Sequence, residues 1–309
     1  MLNGPPISTD IMPATIIPKT TLLAPPIFVS PVFKAVFKAP IGGSTTKIAG
    51  FTEEKKLLGT LQVKASDQIT SLYGALGRFL REHGLSLADI SKIVLTGVGA
   101  SFIEEDIYAI PTVKAVELDA IARGGLALAG LDEALVVSIG TGTAFVRADK
   151  NSIRHIGGSG VGGGTLSGLA SHFLHETDIF VLSSMAEKGD LRKVDLMMSD
   201  IFCGDIASLP PELTAANFGK VKNDASDCDV AAALFNLVYQ TVGVLAIFAL
   251  TNDTARDIVL TGSLACLPPA VKVFGVFEQM KELYGVHFII PPNAAFATAI
   301  GAVMMNFDD

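Results

Sequence analysis

The alternation of apolar and polar residues along the chain predicts an ordered series of strands and helices. Residues 32–39 alternate imperfectly and stop before a glycine pair, which is typical of a strand that enters a turn. Apolar residues at helical spacing over 68–83 predict an amphipathic helix, and a short buried strand follows over 93–97. A helix rich in alanine and leucine over 116–129 then precedes an apolar strand over 134–139, which again runs into glycines.

The same pattern continues through the second half of the chain. An apolar helix is expected over 166–173, a strand near 287–290 and a helix over 296–305. The unit of a strand followed by a glycine turn thus occurs twice, about a hundred residues apart. Two alternating halves of strands and helices predict a duplicated α/β fold with a cleft between the halves.

One apolar stretch raises the question of a membrane. Residues 230–252 carry no charge and are long enough to cross a bilayer. However, Asn236 and Gln240 interrupt the stretch, Asp229 and Asp253 bracket it, and no cluster of lysine or arginine flanks it. We therefore expect a buried central helix, which is apolar on all sides because protein surrounds it, and no membrane partner.

The first forty residues differ in composition from the rest. They hold eight of the fifteen prolines, and each proline removes a backbone donor and fixes φ. No compact basic start precedes an unbroken apolar core, as a signal peptide would require. We interpret 1–31 as a proline-rich extension that is weakly ordered or packed on the surface.

Composition and charge exclude several classes of protein. Half of the 309 residues are hydrophobic and 17% are charged, which does not fit a disordered chain. The net charge of −8 disfavours a nucleic-acid partner, because phosphate backbones attract clustered lysine and arginine. Cys203, Cys228 and Cys266 have neither the number nor the spacing of a disulfide framework or a zinc site, and they suit a reducing cytoplasm.

The first candidate site is the loop that follows the first predicted strand. Its glycines let the backbone approach a phosphate closely, its hydroxyls donate to phosphate oxygens and its lysine neutralises charge. The loop lacks the Gly-x4-Gly-Lys-Ser/Thr spacing of a Walker motif, and by itself it could equally be a hairpin turn. Its residues are Gly42, Gly43, Ser44, Thr45, Thr46 and Lys47.

Two further glycine-rich segments have the same chemistry. Thr141, Gly142 and Thr143 follow the strand at 134–139, where the alternative is again a hairpin turn. The segment 154–165 holds six glycines and leads straight into an apolar helix, whose N-terminus would favour an anion. A flexible linker is the alternative here, but a linker would lack the β-branched residues and the immediate helix.

Five strings taken in order resemble the type II pantothenate kinases. They are Gly-Gly-Ser-Thr-Thr-Lys at 42–47, Val-Glu-Leu-Asp-Ala at 116–120, Gly-Thr-Gly-Thr at 140–143, the glycine-rich segment at 154–165, and Leu-Thr-Ala-Ala-Asn-Phe-Gly at 213–219. The resemblance runs from about residue 41 to the C-terminus. It implies the duplicated actin-like (ribonuclease H-like) ATPase fold of the sugar and acetate kinases. The first lobe would be 32–131 and the second 132–309, with a nucleotide cleft between them.

The resemblance also implies a reaction and a set of site residues. The reaction is transfer of the ATP γ-phosphoryl group to the primary hydroxyl of pantothenate with Mg²⁺, the first step of coenzyme A synthesis, by a cytoplasmic homodimer. Glu117 falls on the general base, and either Arg154 or His155 would hold pantothenate where the family often has an arginine. The residues expected to line the nucleotide are Gly42, Gly43, Ser44, Thr45, Thr46, Lys47, Thr141, Gly142, Thr143, Gly163, Gly164, Thr165, Leu166, Ser167 and Ser263.

One position departs from the pattern of the superfamily. An aspartate that organises Mg²⁺ and water is expected two residues before the first glycine pair, and this chain has Pro40 there. A catalytically weakened paralogue that binds a nucleotide or coenzyme A is therefore an alternative, as is a kinase for another small hydroxylated substrate. An ATPase that activates a radical dehydratase shares the fold but needs clustered cysteines for an iron–sulfur centre, whereas these three are scattered.

Overall fold

The computed structural model of the protein describes residues 33–38 (backbone), 45–64, 67–202, 210 and 213–306. The extension predicted at 1–31, Pro40, the loop residues Gly42 to Ser44, and Cys203 lie outside these residues. The strands of the described part are β1 (Phe33–Lys38), β2 (Thr45–Thr52), β3 (Leu57–Lys64), β4 (Ile90–Thr96), β5 (Thr112–Lys114), β6 (Glu133–Ile139), β7 (Thr143–Asp149), β8 (Ile153–Ser159), β9 (Leu196–Met197), β10 (Thr214–Ala216), β11 (Asp257–Thr261) and β12 (His287–Ile289).

The helices connect and cover these strands. They are α1 (Gln68–His83), α2 (Glu117–Ala129), α3 (Gly163–Leu174), α4 (Ile179–Ala186), α5 (Met198–Ile201), α6 (Asp227–Ala249), α7 (Pro268–Gln279), α8 (Lys281–Tyr284) and α9 (Ala297–Met305). Every helix and strand predicted from the sequence pattern is present, with ends that shift by at most three residues. The pattern did not predict the strands β2, β3, β5 and β7 to β11 or the helices α4, α5, α7 and α8.

Two five-stranded sheets repeat one topology. The first has the order β3-β2-β1-β4-β5 and the second, read from its other edge, β8-β7-β6-β11-β12. In each sheet the first three strands in chain order form an antiparallel meander. The fourth strand pairs in parallel with the first, and the fifth pairs in parallel with the fourth. This repetition confirms the duplicated α/β fold.

Local capping explains why α1 begins and ends where the sequence predicts. The side chain of Asp67 accepts a hydrogen bond from the Thr70 amide at 2.7 Å, and Gly84 ends the helix at φ 66°, where a side chain would be strained. Leu72 and Phe79 lie on the buried face of the helix, against the first sheet.

The two halves meet through a pair of central helices. Helix α9 packs on β1, β2 and β4 of the first sheet, α2 packs on β6, β7 and β11 of the second, and the two helices pack on each other. A Cβ atom at Gly124 would lie 1.8 Å from the Ala297 carbonyl oxygen, and one at Gly301 would lie 2.0 Å from that of Ala120. The predicted lobe boundary between 131 and 132 remains a prediction, since α2 precedes it yet packs on the second sheet.

The uncharged stretch predicted to be a central helix is α6. Ser226 and Asp229 form a capping box at its start, and its buried face includes Phe235, Tyr239 and Val242 in the core of the second half. Among the described helices only α6 is long and apolar enough to cross a membrane, a test that a core helix also passes. Its packing in the core agrees with the central-helix prediction.

We predict that Gly124→Ala destabilises the protein by at least about 2 kcal/mol, because the new methyl group meets backbone rather than a side chain that can turn away. Gly77→Ala is the matched control, since a Cβ there meets nothing within 4 Å in the middle of α1. This control should stabilise by roughly 0.5–1 kcal/mol through helix propensity. Chemical denaturation measures both, and equal effects from the two variants would contradict the close helix contact.

Candidate active site

The second glycine loop is a tight turn between β6 and β7. The Gly140 amide donates to the Gly142 carbonyl at 2.8 Å, which closes the turn. A Cβ atom at Gly142 would lie 2.8 Å from the Ser159 carbonyl, so only glycine fits here. The turn therefore lies against the end of β8, where the third glycine segment begins.

Helix α3 holds this turn in place through its first amides. The amides of Gly163 and Gly164 donate to the carbonyls of Gly140 and Thr141, each at 2.8 Å. The sequence suggested that this helix N-terminus would face an anion, whereas the structure directs these two amides to the neighbouring loop. The amides of Thr141 and Gly142 donate to no other part of the described chain. They are the donors that this turn can offer to a phosphate.

The described end of the first loop reaches the second half of the molecule. The Lys47 ammonium lies 2.6 Å from Ser263 Oγ and 2.7 Å from the Ala295 carbonyl. Ser263 lies two residues after the end of β11, the strand that pairs with β6, and β6 leads into the second turn. A Cβ atom at Gly262 would meet the backbone of Ile139 at 2.4 Å, which shows how closely the two loops approach. Lys47 and Ser263 are thus neighbours, although 216 residues separate them.

Besides Lys47, three of the residues predicted to line the nucleotide have buried side chains. Thr46 is fully buried, and Leu166 packs in the core of the second half. Thr143 donates from its hydroxyl to the Val161 carbonyl at 2.8 Å, which fastens the turn to the glycine-rich segment. The side chains of these three residues therefore support the loops, and only their backbone could face a ligand.

Other predicted residues are more accessible. Thr141 is exposed, while Ser263 and Ser167 are half-buried. The Thr165 hydroxyl donates to the Gly160 carbonyl at 2.8 Å and caps α3. The contacts of Thr45, Gly142, Gly163 and Gly164 with a nucleotide stay a prediction, and the earlier part of the first loop lies outside the described residues.

Glu117 is the first residue of α2 and is half-buried, as its apolar neighbours indicated. It follows β5 at the carboxyl edge of the parallel strands of the first sheet. The strands β2, β1, β4 and β5 are successive neighbours in the first sheet. Lys47 on β2 pairs with Lys38 at the end of β1, and Leu95 near the end of β4 pairs with Lys114 at the end of β5. Three strand spacings of about 4.8 Å therefore put roughly 14 Å between the backbones of Lys47 and Lys114. Glu117 and Lys47 therefore belong to the same edge.

Arg154 and His155 lie on opposite faces of the edge strand β8. The Arg154 guanidinium is 3.6 Å from Asp253, just after α6. His155 pairs with Val146, which packs against α2 on the other face. Because paired residues of neighbouring strands share a face, His155 lies on the face of the sheet that α2 covers, and α2 begins at Glu117. The geometry therefore favours His155 over Arg154, a choice that the sequence left open.

The sequence did not single out Asp195, which lies at the centre of a buried polar network. One carboxylate oxygen accepts from the Phe218 amide at 2.8 Å, and the other accepts from Asn236, Asn217 and Thr214 at 2.7, 3.2 and 3.3 Å. Burial raises the pKa of Asp195, and these hydrogen bonds offset part of the rise. The network fixes the 213–219 string and explains why Phe218 tolerates a left-handed φ of 56°.

No group of three or more His, Cys, Asp or Glu side chains in the described residues could hold a metal ion. Glu117, in the first turn of α2, is the one carboxylate among the described residues to which the resemblance assigns a role in the site. Kinase sites hold Mg²⁺ through one or two carboxylates together with nucleotide phosphates. The described residues alone therefore do not make a complete magnesium site.

Two sheets of one topology, with glycine turns where their parallel strands end, define the actin-like class of nucleotide-binding folds. The family described as Fumble matches residues 133–271. Type II pantothenate kinases from Staphylococcus aureus strains USA300 and bovine RF122 / ET3-1 are each 31% identical over 278 residues, which is 86% of this chain and 97% of theirs. The chain belongs to the type II pantothenate kinase family.

Solved structures share the fold at low sequence identity. The activator of 2-hydroxyisocaproyl-CoA dehydratase from Clostridium difficile, with bound ADPNP, superposes with a TM-score of 0.62 at 17% identity and covers 90% of this chain and 95% of its own. The ROK hexokinase from Thermus thermophilus gives a TM-score of 0.50 at 16% identity and covers 88% and 98%. Both confirm the actin-like fold.

We predict that Asp195→Asn destabilises the fold by about 1–3 kcal/mol at neutral pH, since either amide orientation turns a donor toward a donor. The raised pKa of Asp195 contributes to the free energy of unfolding of the wild-type protein. This contribution is fully present below the ordinary Asp pKa near 3.8 and is lost as the pH rises through the raised pKa of the folded state. The penalty of the substitution should therefore shrink as pH rises through that window.

Urea denaturation between pH 4 and 8 measures this difference. Asp224→Asn is the control, because Asp224 is exposed and pairs only with Lys193 at 3.5 Å among the described residues. It should change stability by no more than about 0.5 kcal/mol. A destabilisation by Asp195→Asn that grows with pH would instead mean that the folded state lowers the pKa of Asp195, and it would contradict this prediction.

Proposed function

We propose that this protein transfers the γ-phosphoryl group of ATP to pantothenate and yields 4′-phosphopantothenate, as a homodimer in the cytoplasm. Family membership supports a kinase of this kind, and the neighbouring ADPNP-bound fold supports ATP as the donor. The observation that carries the proposal is the meeting of Lys47 and Ser263 beside the second turn, at the same edge as Glu117. Phosphate loops from both halves and a candidate base then face one cleft.

The chemistry assigns a role to each part of the site. Glu117 accepts the proton of the pantothenate hydroxyl while the hydroxyl oxygen of pantothenate forms a bond to the γ-phosphorus. The bond from that phosphorus to the β–γ bridging oxygen breaks, and ADP leaves with the electron pair. The amides of Thr141 and Gly142 donate to phosphate oxygens, and they require no reorganisation because the turn is already held.

His155 is the candidate contact for the acceptor substrate. It lies on the α2 face of the second sheet, where an imidazole would replace the arginine that the family often carries. Imidazole offers fewer donors than guanidinium, so a carboxylate would be held by one bond rather than two. This weaker hold on the pantothenate carboxylate leaves another small hydroxylated substrate as the alternative acceptor.

Pro40 favours the second candidate function, a weakened paralogue that binds a nucleotide or coenzyme A. Phosphoryl transfer depends on positioning and on metal charge, and proline provides no ligand for Mg²⁺. A coupled ADP-release assay with pantothenate separates an active kinase from such a binding protein.

We expect Glu117→Gln to lower kcat by roughly 10²–10⁴, which is the usual contribution of a positioned base, and to leave ATP binding nearly unchanged. The matched control is Asp119→Asn, since Asp119 is a half-buried carboxylate in the same helical turn. The control should keep most of the activity. An equal loss of nucleotide affinity in Glu117→Gln would mean that the residue is structural.

Pro40→Asp should raise kcat and strengthen the Mg²⁺ dependence, because it restores the carboxylate that the resemblance expects. The affinity for pantothenate should stay about the same. Proline also removes a backbone donor, so Pro40→Ala is the control that restores the amide without a charge. If alanine rescues as well as aspartate, the defect lies in the strand and the metal argument is wrong.

A further inference from the structure

The Lys47 ammonium is a buried charge that joins the two halves. Lys47 is 7% exposed and lies on β2 of the first sheet. Its contacts at 2.6 and 2.7 Å are to Ser263 Oγ and to the Ala295 carbonyl, both in the second half of the chain. The Phe296 ring centroid lies 6.0 Å from the ammonium, at the outer limit of a cation–π contact.

The two acceptors of Lys47 belong to one connected surface. The Gly262 amide, next to Ser263, donates to the Ala294 carbonyl at 3.0 Å, next to Ala295. The segment at 262–263 and the segment at 294–295 are therefore bonded to each other, and Lys47 is hydrogen-bonded to both. An ammonium has three donors, so these bonds use two of them on the second half before any phosphate is bound.

We propose that Lys47 is a positioning residue, which clasps Ser263 and the 294–296 segment and so sets the spacing between the phosphate loops of the two halves before the nucleotide enters. This inference rests on the proposed function, because it takes Ser263 and residues 45–47 as nucleotide contacts. The family resemblance gives Lys47 only the role of a charge beside phosphate. In the proposed role, Lys47 also holds the second half of the chain through Ser263 and Ala295.

Burial makes the clasp sensitive to loss of the charge. Hydrogen bonds from an ammonium are stronger than those between neutral groups, and their removal leaves the Ala295 carbonyl and the Ser263 hydroxyl without this donor. Lys47→Met keeps the aliphatic stem, which packs in the same space, and removes only the donors. The substitution therefore isolates the clasp from the packing of β2.

The chain offers a matched control in Lys92. This lysine lies on β4 of the first sheet and also donates to a carbonyl of the second half, that of Asn306, at 3.5 Å. It lies toward the start of its strand, away from the carboxyl edge that carries the loops. Lys92→Met therefore removes a longer lysine–carbonyl bond, to the end of α9, outside the site.

The first measurement is hydrogen exchange by mass spectrometry on the full chain without nucleotide. Lys47→Met should speed exchange in peptides covering 262–266 and 293–297 by about tenfold or more, because the loss of charged hydrogen bonds favours local opening. Lys92→Met should leave these peptides unchanged. Ser263→Ala removes one acceptor and keeps Ala295, so it should give a smaller increase.

The second measurement is the KM for ATP against kcat. The clasp predicts that Lys47→Met and Ser263→Ala raise KM by less in combination than the product of their separate effects, since both break one unit. Independent phosphate ligands would give multiplicative effects. Unchanged exchange in both peptides of nucleotide-free Lys47→Met, with an increased KM, would overturn the proposal and leave Lys47 as a phosphate ligand.

The exchange measurement does not depend on the reaction. If the protein fails to phosphorylate pantothenate but Lys47→Met still opens the two segments, the clasp stands and the proposed substrate is wrong. If Lys47→Met does not fold, Ser263→Ala decides by itself: faster exchange at 262–266, where the bond to Lys47 is lost, supports the clasp, and no change there contradicts it.

Discussion

The close contact between helices α2 and α9 is the constraint on which the two-sheet arrangement depends. Each helix covers one sheet, so the distance between their axes sets the distance between the sheets. Gly124 and Gly301 let backbone touch backbone, and a methyl group at either position would meet a carbonyl oxygen at 2.0 Å or less. The loops at the carboxyl edges of both sheets can meet only because this contact keeps the sheets close.

The loops at that edge are joined to one another by hydrogen bonds. The first amides of α3 bind the carbonyls of the 140–142 turn, Thr143 binds the glycine-rich segment, and Lys47 spans to Ser263. Groups that the sequence pattern assigned to a ligand thus hold the loops of the site together. This organisation is useful for catalysis, because donors that are already fixed need no rearrangement when charge develops in the transition state.

The fold could be predicted from the sequence wherever its signals are local. Helix α1 was predicted to the residue because Asp67 and Gly84 cap it within the same segment. Strand β8 was missed, since the glycines that end it are typical of loops and its pairing with β7 is a tertiary contact. Asp195 and Ala295 could not be found either. Their partners lie up to 248 residues away, and a buried aspartate leaves no pattern in one sequence.

The two halves of the site differ in what they require from the sequence. The proposed nucleotide contacts at the second turn come from backbone amides and glycine geometry, which many side-chain changes leave intact. The proposed acceptor contacts depend on single side chains, Glu117 and His155, and the expected metal ligand depends on position 40. Both departures from the family pattern, Pro40 and His155, fall in this second group. If the proposed function holds, divergence of this chain therefore affects the acceptor and metal contacts more than the backbone amides that would bind phosphate.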